Sequence, residues 1–421
     1  MLPWIAFGHM IPNLELAKLI AGKGHHVSFV STPRNIERLP KVSQNLATLI
    51  DFVKLPLPKV PNLPENAEAT TDVPYDVVQY LKKAYDTLEE PFTHFLESSK
   101  ADWLFYDFAP FWAASVASKL GIRKAFYSIY TPPFLGFIGP SSVLMGHDNS
   151  YRKKPEDFIV APPNSGVSDT YRIGVGIQNC DIVFIRGCTE FESEWFHLLE
   201  RIYQKPVLPV GQLPSTAPVG SEDNDPWRWM KGWLDKQARG SVVYVAFGSE
   251  AKPTQDEVKE IALGLEKSKL PFLWLLRVQR GPWFEERIKG RGVVCTSWAP
   301  QLKILEHVAV GGFLTHSGWT SVVEAVQNEK PLVLLTFLAD QGINARVLEE
   351  KKMGYPVPRD ERDGSFSSDS VADSLKLVVV EEEGKIYRER IKEMKDLFIN
   401  GERQYRYIDN LIHNLKCFTK F

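Results

Sequence analysis

Two groups of residues in this 421-residue chain have the types and spacing for chemistry. The larger lies within 298–341. It opens with Trp298-Ala299-Pro300-Gln301 and runs through an apolar segment to a glycine-bounded turn, His316-Ser317-Gly318-Trp319. An amphipathic segment follows from Thr320, then a second apolar run over 332–337, then Asp340-Gln341. Strand, glycine turn, helix and strand together outline a nucleotide-phosphate cradle. The first N–H groups of a helix have no intrahelical partner and the helix dipole is positive at that end, so a pyrophosphate fits there without a metal. His316, Thr320 and Ser321 could add donors. Glu324 sits one turn inside, among apolar neighbours, where a carboxylate is costly unless paired; two adjacent ribose hydroxyls would satisfy it. Trp298 offers a flat face for a base. Asp340 and Gln341 follow a strand, at the edge where such lobes bind ligands, and suit the hydroxyls of a sugar. Each residue also has a plainer reading: a capped strand–helix turn, an exposed helix acid, a core tryptophan, a helix N-cap.

The second group is His9 and Asp107, each at the end of a strand-like run. If both strands are central, the side chains can meet. A carboxylate that holds an imidazole in one tautomer leaves the far nitrogen as a general base. A lone loop histidine would instead be structural. The His25-His26 doublet has no matching ligands and no metal spacing.

These residues need elements to position them. Residues 2–7 predict a strand and 8–12 a turn. A helix follows to a stop at Gly22-Lys23-Gly24, then a strand over 26–31, the βαβ opening of a parallel sheet. Its loop reads G-H-x-x-P and not G-x-G-x-x-G, so the dinucleotide fingerprint is absent there. Further strands are expected over 51–57, 103–107, 124–130, 181–186 and 206–211. Helices are expected over 77–96, with a break at Pro91, and over 111–120; the proline-rich 56–74 reads as surface loop and 131–176 as irregular. Residues 212–225 read as a linker. The second half restarts with a helix over 229–236. Strands over 241–247, 272–276 and 292–297 alternate with a helix over 257–268, and helices continue to 417.

Composition sets limits. Net charge is −2, with no footprint for nucleic acid or anionic membrane. The apolar runs fall far short of the ~20 residues that span a bilayer. No basic-then-apolar leader precedes a small-residue cleavage site, so secretion is not expected; the apolar start suggests a clipped or alternative beginning. The four cysteines, Cys180, Cys188, Cys295 and Cys417, lack metal or redox spacing and read as thiols in a reducing cytosol.

The 298–341 stretch resembles, over its full length, the signature box of plant UDP-dependent glycosyltransferases. The resemblance extends to Gly8–Pro12, Asp107 and Phe247-Gly248-Ser249, nearly the whole chain. LPWIAFGHMIP, STPRNIERLP, RGPWFEER and EKPLVLLTFLADQG look like the clade that adds a sugar to a sugar already on a small molecule, such as a saponin or flavonoid glycoside. The resemblance implies an α/β GT-B fold, two doubly wound Rossmann-like lobes facing across a cleft. Residues 1–211 would form the acceptor lobe, 212–225 the linker and 226–400 the UDP-sugar lobe, with a helix over 401–421 packing back on the first lobe.

It further implies an inverting transfer of glucose or rhamnose from a UDP-sugar, with His9 as base and Asp107 as its partner. Trp298 would stack on uracil, with Ala299 and the Gln301 backbone beside it. Glu324 would hold the ribose, and Ser249, His316, Thr320 and Ser321 would meet the phosphates. Trp319, Asp340, Gln341 and Ser128 would face the sugar. An apolar wall of Met10, Ile11, Phe134, Leu135 and Phe137 would take the acceptor. No metal or further cofactor is implied, and the expectation is a cytoplasmic monomer without nucleic-acid or membrane partners. The family's common H-C-G-W-N-S reads His316-Ser317-Gly318-Trp319-Thr320-Ser321 here, and the chain looks shortened before Met1, after Pro163 and between Trp283 and Phe284. The rival readings are a nicotinamide-dependent oxidoreductase and a non-catalytic UDP-sugar or glycoside binder.

Overall fold

Parallel strands alternate with helices through both halves of the chain. The computed structural model describes residues 1–147, 167–216, 225–248, 251, 253–276, 290–296, 299–338 and 340–418. The chain divides into two units, Met1–Leu213 with Gly401–Phe421, and Pro214–Asn400.

The first unit holds β1 (Val27–Ser31), β2 (Ile50–Lys54), β3 (Trp103–Tyr106), β4 (Arg123–Ser128), β5 (Ile182–Ile185) and β6 (Val207–Pro209). β1 pairs with β2, and β3 to β6 run side by side in sequence order, all parallel. The first residues of the chain fill the place between β1 and β3. Val30 N–H donates to the Met1 carbonyl at 2.9 Å and Leu2 N–H to the Phe105 carbonyl at 2.8 Å.

The strand expected over 2–7 is therefore corrected to one bridge, Leu2 with Tyr106. Pro3 has no N–H for a ladder, and the Trp4 N–H turns to a side chain, the Asp107 carboxylate. Ala6 is the extended N-cap of a helix over Phe7–Gly22, so the expected 8–12 turn is that helix's start. The break expected at Pro91 falls earlier, between helices Val78–Asp86 and Glu89–Ser98. Pro91 sits in the first turn of the second helix, where its missing N–H is harmless. The stretch read as irregular over 131–176 contains helices Pro132–Ile138, Ser141–Leu144 and the start of Asp169–Asn179.

The second unit holds β7 (Val242–Ala246), β8 (Phe272–Leu275), β9 (Gly292–Cys295), β10 (Val310–Thr315), β11 (Leu332–Leu334) and β12 (Gly354–Pro356). Their order is β12-β11-β10-β7-β8-β9, all parallel. The order reverses between β7 and β10, and ligands of open α/β sheets lie beyond the carboxyl ends of the strands at such a switch. β7 is buried at every residue, as its unbroken Val-Val-Tyr-Val-Ala run requires of a strand covered on both faces. The expected strand over 332–337 stops at Leu334, which leaves 335–338 outside the strand at that same edge. Among the described residues no helix is long and apolar enough to cross a membrane.

The last helix, Gly401–Phe418, belongs to the first unit through buried Ile408 and Leu411. Its Gln404 is buried, donates to the Val210 carbonyl at 2.7 Å and accepts from the Leu213 N–H at 3.2 Å. Gly211 lies against it with φ +82°; a Cβ there would sit 2.2 Å from the Gln404 amide oxygen. Gln404→Leu removes both bonds from buried backbone groups, so thermal unfolding of the variant is expected to show a loss of about 1–3 kcal/mol. An unchanged melting temperature would contradict this.

Candidate active site

In the first unit, Asp107 follows β3 directly and is 2% exposed. A buried carboxylate is tolerable only with donors around it. One oxygen accepts the Trp4 N–H at 2.7 Å and His9 Nδ1 at 2.8 Å; the other accepts the Ala109 N–H at 3.1 Å. The acceptor-only carboxylate places the His9 proton on Nδ1 and leaves the Nε2 lone pair available. Phe108 and Tyr130 flank the ring, with centroids 5.3 and 5.8 Å away. Asn13 donates to the His9 carbonyl at 3.0 Å and secures that turn of the helix. Ser128, at the end of β4, is buried and accepts the Tyr130 N–H at 3.1 Å.

The residues expected to form an apolar wall divide. Met10 and Leu135 are fully enclosed in the core, Met10 accepting from the Ser31 hydroxyl at 3.4 Å. They back the surface and do not line it. Phe134 is nearly buried, Ile11 is half-buried and Phe137 is 58% exposed.

In the second unit, β7 leads to Gly248 and β10 to His316, side by side at the switch point. A Cβ on Gly248 would lie 2.6 Å from His316 Nε2, and one on Gly318 2.5 Å from the same atom. The ring tip therefore needs both glycines. Burial pushes the His316 pKa down to about 4, so the ring is neutral at pH 7. Ser317 has φ +70°, a left-handed turn that leads into Gly318, the N-cap of a helix over Trp319–Gln327. Gly318 has no side chain to cap that helix. Trp319 is buried beside Phe398, so its ring is core and its backbone N–H is what it can offer a ligand. Thr320 is half-buried in the first turn.

Glu324, one turn on, is held at both oxygens. Ser215 donates to one at 2.8 Å and the Gln301 amide to the other at 2.8 Å, the same amide also reaching the Ser321 hydroxyl at 3.1 Å. The Tyr244 hydroxyl donates to Gln301 Oε1 at 3.3 Å, and Ala299 is buried nearby in sequence. Asp340 is the N-cap residue of the helix Gln341–Glu350 and accepts from Asn344 at 2.7 Å. Gln341 Oε1 accepts the Phe337 and Leu338 N–H groups at 2.8 and 2.9 Å, so its amide oxygen is used by the loop and only its N–H₂ can meet a ligand. Ser249 and Trp298 lie outside the described residues. Ser215, Tyr244 and Asn344 join these contacts without being marked in the sequence as site residues. Ser215 sat in a linker without pattern and Tyr244 inside an apolar run; Asn344, four residues after Asp340 in a helix, was the one with a visible signal.

Among the described residues no group of three His, Cys, Asp or Glu side chains could hold a metal ion. A lobe in Rossmann strand order with a glycine-bounded strand–helix turn, and a second lobe carrying a buried imidazole–carboxylate pair, are the parts of a nucleotide-dependent transferase of the GT-B class.

The comparisons give the particular family. The family model described as UDP-glucoronosyl and UDP-glucosyl transferase matches residues 202–400. UDP-glycosyltransferase 91A1 of Arabidopsis thaliana is 48% identical, over 99% of this chain and 96% of its own length. Soyasaponin III rhamnosyltransferase of Glycine max is 40% identical, over 99% and 94%. Among solved structures, Glycyrrhiza uralensis UGT73P12 complexed with glycyrrhetinic acid 3-O-monoglucuronide aligns with a TM-score of 0.81 at 23% identity, over 99% of this chain and 95% of that one. The chain belongs to the plant UDP-glycosyltransferases, enzymes that transfer a sugar from a UDP-sugar donor.

The neutral state of His316 gives a pH dependence. Below its ordinary value of 6.5 an unfolded chain would protonate this histidine, whereas the folded lobe resists until about 4. The stability it contributes is full above about pH 6.5 and is lost as pH falls toward 4, by at most about 3 kcal/mol. His316→Asn should flatten that part of the unfolding-versus-pH curve; an unaltered slope between pH 6.5 and 4 would contradict the assignment.

Proposed function

We propose that this enzyme moves a hexosyl group, glucose or rhamnose, from UDP to a hydroxyl of a small plant metabolite, on a sugar that a saponin, terpenoid or flavonoid already carries. The observation that carries the reading is the His9–Asp107 pair: Nδ1 is tied to a buried carboxylate at 2.8 Å, which leaves Nε2 as a base. His9 takes the proton of the acceptor hydroxyl as its oxygen attacks the anomeric carbon, and Asp107 stabilises the imidazolium. Acid–base help of this kind is worth roughly 10²–10⁴-fold in rate. The displacement is single and in line, so the anomeric configuration inverts. The bond to the UDP oxygen breaks, and the charge gathering on the leaving diphosphate is met by the start of the helix Trp319–Gln327 and by the neutral His316.

Glu324 takes the ribose hydroxyls, Gln301 and Ala299 serve the base, and Trp298 is assigned to stack on it. Thr320, Ser321 and Ser249 add donors at the phosphates. Asp340, Gln341 and Ser128 address the hexose, with the Trp319 contribution coming from its backbone. Ile11, Phe134 and Phe137 supply apolar surface to the acceptor. Residues 1–211 form the acceptor lobe and 226–400 the donor lobe, in a monomer of the cytoplasm. The relatives' names support the substrate class: the soybean relative is named a rhamnosyltransferase of a saponin.

A panel of UDP-glucose, UDP-rhamnose, UDP-galactose and UDP-xylose against saponin and flavonoid glycosides, read by mass, should show hexose added to the glycoside. Addition only to sugar-free aglycones would overturn the acceptor reading. His9→Ala should abolish transfer while UDP binding survives, and a variant with normal turnover would remove His9 as the base. Glu324→Ala should weaken UDP binding by about 1–3 kcal/mol; an unchanged dissociation constant by calorimetry would remove the ribose role.

A further inference from the structure

Asn344 is fully buried on the helix Gln341–Glu350, and no role of it follows from the donor-site residues named above. Its side-chain amide donates in two directions. One contact is to Asp340 Oδ2 at 2.7 Å, the other to the Ser317 carbonyl at 3.1 Å. An amide nitrogen has two hydrogens, so a single group can make both bonds. The two acceptors belong to different parts of the proposed donor site. Asp340 is the carboxylate set toward the hexose, and Ser317 is the left-handed residue that turns the chain from β10 into the anion-binding helix.

The Ser317 end needs an external tie. Its φ is +70°, a region that residues with a Cβ disfavour and that persists only when the surroundings hold it. Its own hydroxyl is buried without a hydrogen-bond partner and does not brace the turn. The Asn344 bond fixes the carbonyl of the 317–318 peptide. Because that peptide is planar and trans, fixing the carbonyl aims the Gly318 N–H to the opposite side, away from the 341–350 helix. At the Asp340 end, the bond fixes the carboxylate rotamer, and the backbone Asn344 N–H to Asp340 carbonyl bond at 3.0 Å holds the same residue from below.

We propose that Asn344 is a positioning residue of the transfer reaction: its amide sets the spacing between the diphosphate turn and the hexose carboxylate, and so the register of the sugar relative to its leaving group. The inference rests on the reading of Asp340 as sugar-facing. Losing the tie does not remove any group that touches UDP. It lets the hexose hydroxyls drift relative to the anomeric bond, and a small misplacement of reacting groups is costly to the chemical step.

The test is a double-mutant cycle of Asn344→Ala with Asp340→Ala, measuring kcat and KM for UDP-glucose, the UDP-glucose to UDP-galactose ratio, and the Kd of UDP alone. Asn344→Ala should lower kcat by about tenfold or more and narrow the donor ratio, with the UDP Kd moved by less than about fivefold. In the Asp340→Ala background, Asn344→Ala should lower kcat by less than about threefold. An equal effect in both backgrounds, or a wild-type kcat and donor ratio in Asn344→Ala, overturns the proposal. If Asp340→Ala itself leaves kcat and the donor ratio unchanged, the sugar-facing reading of Asp340 falls and this proposal falls with it. If Asp340→Ala acts and the cycle shows no coupling, only the role of Asn344 falls. Asn344→Ser, which keeps a shorter donor, is read through the same cycle if the alanine chain does not fold.

Discussion

The carboxylate of Asp107 is the point on which the first lobe depends. An ionised group 2% exposed costs several kcal/mol unless donors replace its water, and here the N–H groups of Trp4 and Ala109 and the His9 ring do so. These donors come from three places in the chain: the segment just after Leu2, the first helix, and the loop after β3. Satisfying one buried charge therefore fixes where the first residues lie in the sheet, where the first helix begins, and which nitrogen of His9 faces outward. On the proposed reading, the same bonds that make the burial tolerable make the imidazole a base. Structure and chemistry in this lobe are one arrangement, and neither can be changed without the other.

On the proposed reading the second lobe meets a different problem, that of receiving negative charge. Its means are backbone and neutral dipoles. The helix Trp319–Gln327 begins at a glycine without a capping side chain, and His316 is kept uncharged by burial. A neutral ring can donate one hydrogen bond to a phosphate oxygen and has no positive charge to lose when the diphosphate leaves. The ring reaches its place only because Gly248 and Gly318 have no Cβ to meet Nε2. The glycines of this turn thus serve a close approach as well as a backbone conformation.

Much of this was readable from residue types, because the positions at strand ends are marked by abrupt changes from apolar runs to polar residues. His9, Asp107, His316 and Asp340 stand out in that way, and Glu324 as a carboxylate among apolar neighbours on a helix. The misreadings share a cause: a short apolar run has no period to tell strand from buried helix. Residues 2–7 looked like a strand, and only the Pro3 gap in the ladder and the pull of Asp107 on Trp4 turned the chain into a helix at Phe7. Likewise the prolines and glycines of 131–176 suggest breakers, whereas Pro132 and Pro133 begin a helix, where proline fits. Burial was the less legible quantity. Met10 and Leu135 are apolar neighbours of a proposed site and yet are wholly core, and nothing in a one-dimensional pattern separates the wall of a pocket from the layer behind it.

On the proposed reading, the choice of hexose turns on an asymmetry between Asp340 and Gln341. Asp340 can only accept hydrogen bonds. Gln341, although an amide, can in effect only donate, because Phe337 and Leu338 use both lone pairs of its oxygen. A vicinal diol satisfies such a pair with fixed polarity: one hydroxyl gives its proton to Asp340 while its neighbour accepts from Gln341. Gln341 is buried, so a sugar that places a methyl or an inverted hydroxyl before it leaves a donor unpaired, which is the kind of loss by which polar sites discriminate most strongly. On the proposed reading, glucose and rhamnose are separated less by the residues themselves than by which edge of the sugar this rigid acceptor–donor pair is made to face, and that orientation depends on how firmly the pair is tied to the diphosphate turn.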